Sequence, residues 1–218
     1  MGLVVTIDGP AASGKSSVSR ELAQRLGWKW VSTGAFYRGL AYVAMNMSID
    51  LEDVKALAEL THNPIWNIRL ESDRTKVFFN EQDVTDDISH EDVGNFASKV
   101  SHFPEVRKAL LEAQRNWAKG TENLVAEGRD CGTVVFPEAN AKVFLTASSS
   151  HRAARRASEL GLDHQDMINA QKERDHQDSS RKVAPLSIPA EAFVVDSTEL
   201  SLSEVVDRVE HFVRSKIQ

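Results

Sequence analysis

The chain has 218 residues, 41% of them apolar and 27% charged, which is enough to bury one full hydrophobic core and to carry a small insert. Its formal net charge is −6 and no long basic block occurs, so a nucleic-acid polymer or an anionic membrane is excluded as a default partner, and any anionic ligand must meet a local basic cluster. A single cysteine, Cys131, excludes an internal disulfide framework, and there is no run of about 18 apolar residues to span a membrane. The opening MGLVVTIDG lacks a charged n-region and a long apolar h-region, so the expectation is a cytoplasmic protein, with a monomer as the default.

Leu3 to Ile7 is a short, mostly β-branched run, the pattern of a central strand buried on both faces. It leads into GPAASGKS, Gly9 to Ser16. This has the spacing G-x-x-x-x-G-K-[ST], in which backbone N–H groups and one Lys hold phosphates and a hydroxyl meets Mg²⁺. Val18, Leu22 and Leu26 then recur every four residues ahead of Gly27, which predicts a helix over Lys15 to Leu26. Strand, glycine loop and helix together are the context the motif requires. Gly9, Pro10, Ala11, Ala12, Ser13, Gly14, Lys15, Ser16 and Ser17 are therefore candidate ATP-binding residues. Lys15 is expected on the β- and γ-phosphates and Ser16 on Mg²⁺; Asp8 is either a second, water-mediated Mg²⁺ ligand or a turn former. The absence of an obvious D-x-x-G switch and N-K-x-D guanine reader argues against a GTPase.

Trp28 to Val31 reads as a second strand, and Ala35 to Asn46 and Leu51 to Thr61 read as helices. At the junction lies TGAFYR: Thr33 and Gly34 end the strand at the rim of the sheet, where such folds bind ligands, and Tyr37 and Arg38 follow one turn into the helix. An Arg beside a phosphate site suits an anion. The alternating WNIRL within Pro64 to Leu70, and TKVFF over Thr75 to Phe79, predict a small antiparallel insert. Ser89-x-x-Asp92 resembles a capping-box helix start, and Phe103-Pro104 opens a helix through Val106, Leu110 and Trp117 that ends near Gly120.

Leu124 to Ala126 and Lys142 to Leu145 are the next strands, separated by GRDCGTVVFP. Two glycines bracket Arg129 and Asp130 there, presenting a fork donor and a carboxylate at the same rim; a pair between the two residues within a turn is the alternative. Glu127, just before, either binds Mg²⁺-bound water or sits solvated at a strand end. In RAARRASEL, Arg152, Arg155 and Arg156 stand at i, i+3 and i+4, a repelling face that calls for an anion. Arg174, Asp178 and Arg181 follow in ERDHQDSSR. An arginine-rich flap of this kind is what must close over transferring phosphates and exclude water. The chain ends on a strand, Ala192 to Val195, and a helix capped by Ser201 and Glu204 and lined by Val205, Val206, Val209 and Phe212.

Strands alternating with helices predict an α/β fold: a parallel sheet with right-handed crossovers, flanked by helices. The expected division is a single P-loop domain, with a core at 1–62 and 96–218, an insert at about 63–95 plus its flanking helix, and a lid at about 149–182.

Taken in order, IDGPAASGKS, TGAFYR, FPEVR, GRDCGTVVFP, the arginine flap, ERDHQDSSRKVAPL and VVDST resemble the bacterial cytidylate kinases, a branch of the P-loop nucleoside monophosphate kinases, over almost the whole chain. The resemblance implies transfer of the γ-phosphoryl group of ATP to CMP or dCMP with Mg²⁺. It implies that Ser98, Arg107 and Asp130 read the cytosine edge, that Arg38, Arg129 and Arg181 bind the acceptor phosphate, and that Arg174 and Asp178 reach the sugar hydroxyls. Thr33 and Tyr37 join the substrate-binding set. Arg155 and Arg156 would belong to the lid over ATP, and Lys15, Arg129, Arg155, Arg156 and Arg181 would carry the catalytic charge stabilisation. The chain departs from the commonest pattern at Ser32 and Glu127, where Asp is frequent. Physics points the same way, because a monophosphate oxygen is already ionised at neutral pH and needs no general base. The seven His are scattered without metal-ligand spacing.

Overall fold

The computed structural model describes residues 2–71, 74–120, 123–161 and 164–217. Strand β1 (Val4–Asp8) occupies the centre of a five-stranded sheet with the order β2 (Lys29–Ser32), β6 (Leu124–Gly128), β1, β7 (Ala141–Thr146), β8 (Phe193–Asp196), and every pairing is parallel. A strand covered on both faces has no use for polar alternation, and all five residues of β1 are buried. Val5 and Ile7 pack towards helices α1 (Lys15–Leu26) and α8 (Leu202–Ile217), whereas Val4 joins the opposite layer with α2 (Thr33–Asn46), α3 (Val54–Leu60) and α5 (Pro104–Lys119). The helix-sheet-helix sandwich leaves the C-terminal ends of the strands as the one rim at which all the strand-to-helix loops meet.

A second, antiparallel sheet is built by β3 (Trp66–Leu70), β4 (Thr75–Phe79) and the short β5 (Gln82–Asp83). Trp66, Ile68 and Val77 bury their alternate side chains against α2. A 3₁₀ turn at Asp87–Ser89 and α4 (Glu91–Val100) follow, and α4 lies across α2. Beyond β7, α6 (Ser149–Leu160) and α7 (His164–Ser180) form a helical hairpin that reaches back to α4.

Several details differ from expectation: most strands and α2 shift by one or two residues at an end, with Thr33 and Gly34 opening α2 instead of ending β2. The third helix starts at Val54, not Leu51, because the Asp53 carboxylate accepts from the Ala56 N–H at 3.0 Å and caps it there. The capping box at Ser89 and Asp92 does not form: Ser89 Oγ donates to the Asp86 carbonyl, and α4 begins only after His90 with no side-chain cap. On α8 the fully buried fourth valine is Val213; Phe212 is only partly covered and stacks on Phe193 at 4.8 Å.

Candidate active site

The rim of the main sheet opens into one cavity of about 570 Å³, lined among others by Lys15, Ser16, Thr33, Tyr37, Arg38, Ser98, Glu127, Arg129, Asp130, Asp178 and Arg181. These residues come from five separate stretches of sequence that meet in one space.

Its floor is the phosphate loop. Gly14, at φ 86°, turns the chain into α1, whose first-turn N–H groups point into the cavity with the positive end of the helix dipole. Lys15 is buried and its Nζ donates to the Pro10 carbonyl at 2.9 Å. Burial first, and then the charge of Arg129, push the ammonium down to about 7; Glu127, Asp178 and Asp8 offset only part of this. A polyanion arriving here would restore the charge.

The two carboxylates next to the loop have unequal positions. Both oxygens of Asp8 accept backbone N–H groups, from Cys131 and Gly132, each at 2.7 Å. Burial nonetheless raises its acid to about 6. Asp8 thereby ties β1 to the start of the GRDCG loop, and its contacts are there, not at Ser16. Glu127 is the carboxylate that meets Ser16: Ser16 Oγ donates to its two oxygens at 2.9 and 2.8 Å. Glu127 is 4% exposed, so the solvated strand end weighed from sequence is excluded. A hydroxyl and a carboxylate side by side are hard oxygen donors that suit Mg²⁺, which takes one or two protein ligands and completes its shell with water and phosphate oxygens. Among the described residues there is no group of three or more His, Cys, Asp or Glu that could hold a metal ion.

The cavity wall is rich in arginines, and several of them have acidic or carbonyl partners. Asp178 is the hub: it accepts from Arg129 Nε at 2.5 Å and from Arg181 Nη2. Burial opposes its charge, yet the two guanidinium groups hold its acid below the usual carboxylate range. Arg129 also reaches the Gly9 carbonyl at 3.4 Å, so the GRDCG loop, the phosphate loop and α7 are linked. Arg38 donates to the carbonyls of Ile88 and His90 at 2.7 and 3.2 Å. Asp130 pairs with Arg107, both buried, and Arg107 lies 5.5 Å from the centre of the Tyr37 ring. The Arg129–Asp130 turn pair considered from sequence is therefore absent: the two adjacent side chains diverge to Asp178 and Arg107. Thr33 Oγ1 donates to the Glu127 carbonyl and so fixes the start of α2 against β6.

On α6 the three arginines do not form a bare repelling face. Arg152 is bidentate to Asp175, at 2.9 and 2.5 Å, and also donates to the Ala11 carbonyl of the phosphate loop at 3.1 Å. Arg155 donates to Ser197 Oγ and to its carbonyl at 3.1 and 2.6 Å. Arg156 lines the cavity and bridges to Glu91 on α4 at 3.1 Å. Of the expected site residues, Asp8, Gly9, Pro10, Ser13, Arg107 and Arg155 are not among those lining the cavity, and Arg107 is paired with Asp130, which is. The side chain of Arg174 lies outside the described residues. Sequence reasoning did not foresee Arg152 as the grip on the phosphate loop, nor Asp175, Ser197 and Glu91 as the partners of Arg152, Arg155 and Arg156. The only signal was the charge density of ERDHQD, which shows that acids are near but not which arginine each will meet.

A phosphate loop and an arginine-walled chamber sharing one cavity define a phosphotransferase of the P-loop kinase class. The cytidylate kinase family model matches residues 5–215. The cytidylate kinase of Bdellovibrio bacteriovorus is 70% identical over 217 residues, covering 100% of both chains, and that of Vibrio cholerae is 44% identical over 98% of this chain and 97% of its own. The chain belongs to the cytidylate kinase family. Among solved structures, an uncharacterized protein from Eubacterium ventriosum superposes with a TM-score of 0.56 at 12% identity, covering 98% of this chain and 99% of its own. A gluconokinase from Sinorhizobium meliloti superposes with a TM-score of 0.50 at 18% identity, covering 98% of this chain and 92% of its own. These two likenesses bear on the fold alone. No described helix is long and apolar enough to cross a membrane.

Proposed function

We propose that this enzyme transfers the γ-phosphoryl group of ATP to CMP or dCMP, giving ADP and CDP or dCDP, and that the roles divide as follows. Gly9 to Ser17 cradle the ATP phosphates, with Lys15 on the β- and γ-oxygens. Arg38, Arg129 and Arg181 hold the acceptor phosphate, Asp130 and Ser98 face the cytosine edge with Arg107 behind, and Asp178 and Arg174 serve the sugar side. Arg155 and Arg156, on the α6–α7 hairpin taken as the lid, neutralise charge as the group moves. The insert at about 63–95 with α4 is taken as the acceptor-binding part of the single domain.

The observation that carries this reading is the shared cavity: donor loop and acceptor arginines open onto the same space, so two polyanions can be brought in line. The acceptor oxygen is ionised already, and the chain has only to position it and stabilise charge. Mg²⁺, held by Ser16 with Glu127 alongside, would supply charge neutralisation between the β- and γ-phosphates when bound. Asp8, whose oxygens are engaged by Cys131 and Gly132, is assigned to loop positioning instead of to the metal.

The test is a coupled ADP-release assay over CMP, dCMP, UMP, AMP and shikimate. Turnover with CMP and dCMP, weaker with UMP and absent with AMP and shikimate, is the expected result. Acceptor-independent ATP hydrolysis, or none at all, would point to an ATPase or a nucleotide sensor. Lys15→Ala should lower turnover by two or more orders of magnitude while the fold persists. The enzyme is taken to act as a cytoplasmic monomer, which sedimentation would check.

A further inference from the structure

Ser98 stands on α4 and lines the acceptor side of the cavity. Its Oγ donates to Oε1 of Gln177, on α7, at 2.7 Å. The sense of that bond is set by the next link. Nε2 of Gln177 donates to Oε1 of Glu173, one turn back on the same helix, at 3.0 Å. An ionised carboxylate can only accept, so the NH₂ end of the amide must face Glu173 and its carbonyl must face Ser98. A hydroxyl has one proton, and here it is committed. What Ser98 has left to offer the cavity is lone pairs.

Asp130 faces the same cavity and, as a carboxylate, also only accepts; one of its oxygens is held by Arg107. The wall therefore presents two acceptors. Cytosine carries an exocyclic amino group with two N–H donors, where uracil carries a carbonyl oxygen. An unconstrained serine could rotate and donate to that carbonyl, serving either base; a serine whose proton is already spent cannot.

We propose that Gln177 is a specificity-determining positioning residue: it fixes Ser98 as a hydrogen-bond acceptor, so that the pocket takes an aminopyrimidine and turns away the oxo analogue. The inference rests on the reading of Ser98 and Asp130 as base-edge residues. It also places base selection partly in the α6–α7 hairpin, because the residue that sets the sense of Ser98 belongs to α7 while Ser98 belongs to α4. Gln177 adjoins Asp178 in the chain, but its side-chain bonds go to Ser98 and Glu173 and not into the Arg129–Asp178–Arg181 hub, and the comparison of KM for CMP and UMP reads its effect on the base apart from phosphate binding.

The experiment compares kcat and KM for CMP and UMP in the intact enzyme and in Gln177→Leu, Gln177→Glu, Ser98→Ala and the Ser98→Ala/Gln177→Leu double variant, with thermal midpoints recorded. Gln177→Leu should lower the CMP-to-UMP ratio of kcat/KM by about five- to tenfold, through a higher KM for CMP and a lower one for UMP, with kcat for CMP within about twofold. Gln177→Glu, which still accepts from Ser98, should hold the ratio within about twofold. Adding Gln177→Leu to Ser98→Ala should change the ratio no further. If Ser98→Ala shifts the ratio and Gln177→Leu leaves it alone, the relay is wrong although the base-edge reading stands. If neither shifts it, the base-edge reading falls and takes the relay with it. An equal loss for both substrates in kcat alone would make Gln177 a lid-packing residue and overturn the proposal.

Discussion

The hydroxyl of Ser16 is held by both oxygens of Glu127, at 2.9 and 2.8 Å, which joins the first turn of the phosphate-loop helix to the end of the neighbouring strand β6. A residue that orients a metal-binding hydroxyl works through the ion, and loss of such a partner typically costs 10- to 100-fold in metal affinity or activity. Glu127→Gln is therefore expected to raise the Mg²⁺ concentration needed for half-maximal rate by about 10-fold or more, with KM for CMP little changed. Titrating free Mg²⁺ at saturating ATP and CMP measures this. An unchanged Mg²⁺ curve would restrict Glu127 to a structural role.

Asp178 holds Arg129 and Arg181 together, and both arginines are assigned to the acceptor phosphate. Removing the carboxylate leaves two cations close together with no counter-charge, which costs more than the pair contributed while intact. Asp178→Ala should therefore lose about 3 kcal/mol of stability and raise KM for CMP by tenfold or more, whereas KM for ATP stays near its original value. Urea denaturation and initial rates separate the two effects. Equal loss of both substrates would mean that the hub supports the whole cavity and not the acceptor side.

Helix α1 was legible to the residue, Lys15 to Leu26, because both of its ends are marked by glycines in the left-handed region, Gly14 at φ 86° and Gly27 at φ 69°, and its core stripe recurs every four residues. The two insert strands were equally plain, since WNIRL alternates and one face of that sheet is buried. The start of α3 was not, because apolar spacing alone cannot tell whether Asp53 caps a helix or lies within one. Nor could the chain show which acid meets which arginine. Arg107 and Asp130 are 23 positions apart and Arg129 and Asp178 are 49 apart, and only the fold decides between partners that sequence leaves equivalent. Residue types at the site could be read directly, while their pairing depended on long-range packing.

Cys131 lies at the start of the helical turn after Asp130, fully buried, with its Sγ 3.4 Å from Thr33 Oγ1. Burial pushes its thiol well above the ordinary range, and the nearby Asp8 and Asp130 charges push it further. The native enzyme should therefore release less than about a tenth of an equivalent of thionitrobenzoate from Ellman's reagent over minutes, and a full equivalent once unfolded. CMP should slow any residual reaction. Rapid labelling of the folded enzyme would mean that the GRDCG loop opens freely.

Two glycines of the phosphate loop both sit at positive φ, 156° at Gly9 and 86° at Gly14, but Gly9 carries a steric block as well, and the difference can be measured. A Cβ at Gly9 would sit 2.1 Å from the carbonyl oxygen of Leu145, a backbone atom in the neighbouring strand β7 that cannot move aside without shifting the sheet. At Gly14 the nearest atom to such a Cβ is the Nη1 of Arg155 at 3.7 Å, ordinary contact, so the obstacle there is conformational: φ is +86°, which costs a side-chain-bearing residue about 1–2 kcal/mol. Gly14→Ala should consequently stay folded, with a urea midpoint lowered by an amount matching that strain and an unchanged m-value. Gly9→Ala has to break the junction between loop and sheet, and should lose more than about 3 kcal/mol together with ATP binding. Paired urea and ATP titrations of the two variants decide the matter. If Gly9→Ala proved the milder substitution, the close approach of the loop to Leu145 would not be what holds the phosphate cradle in place.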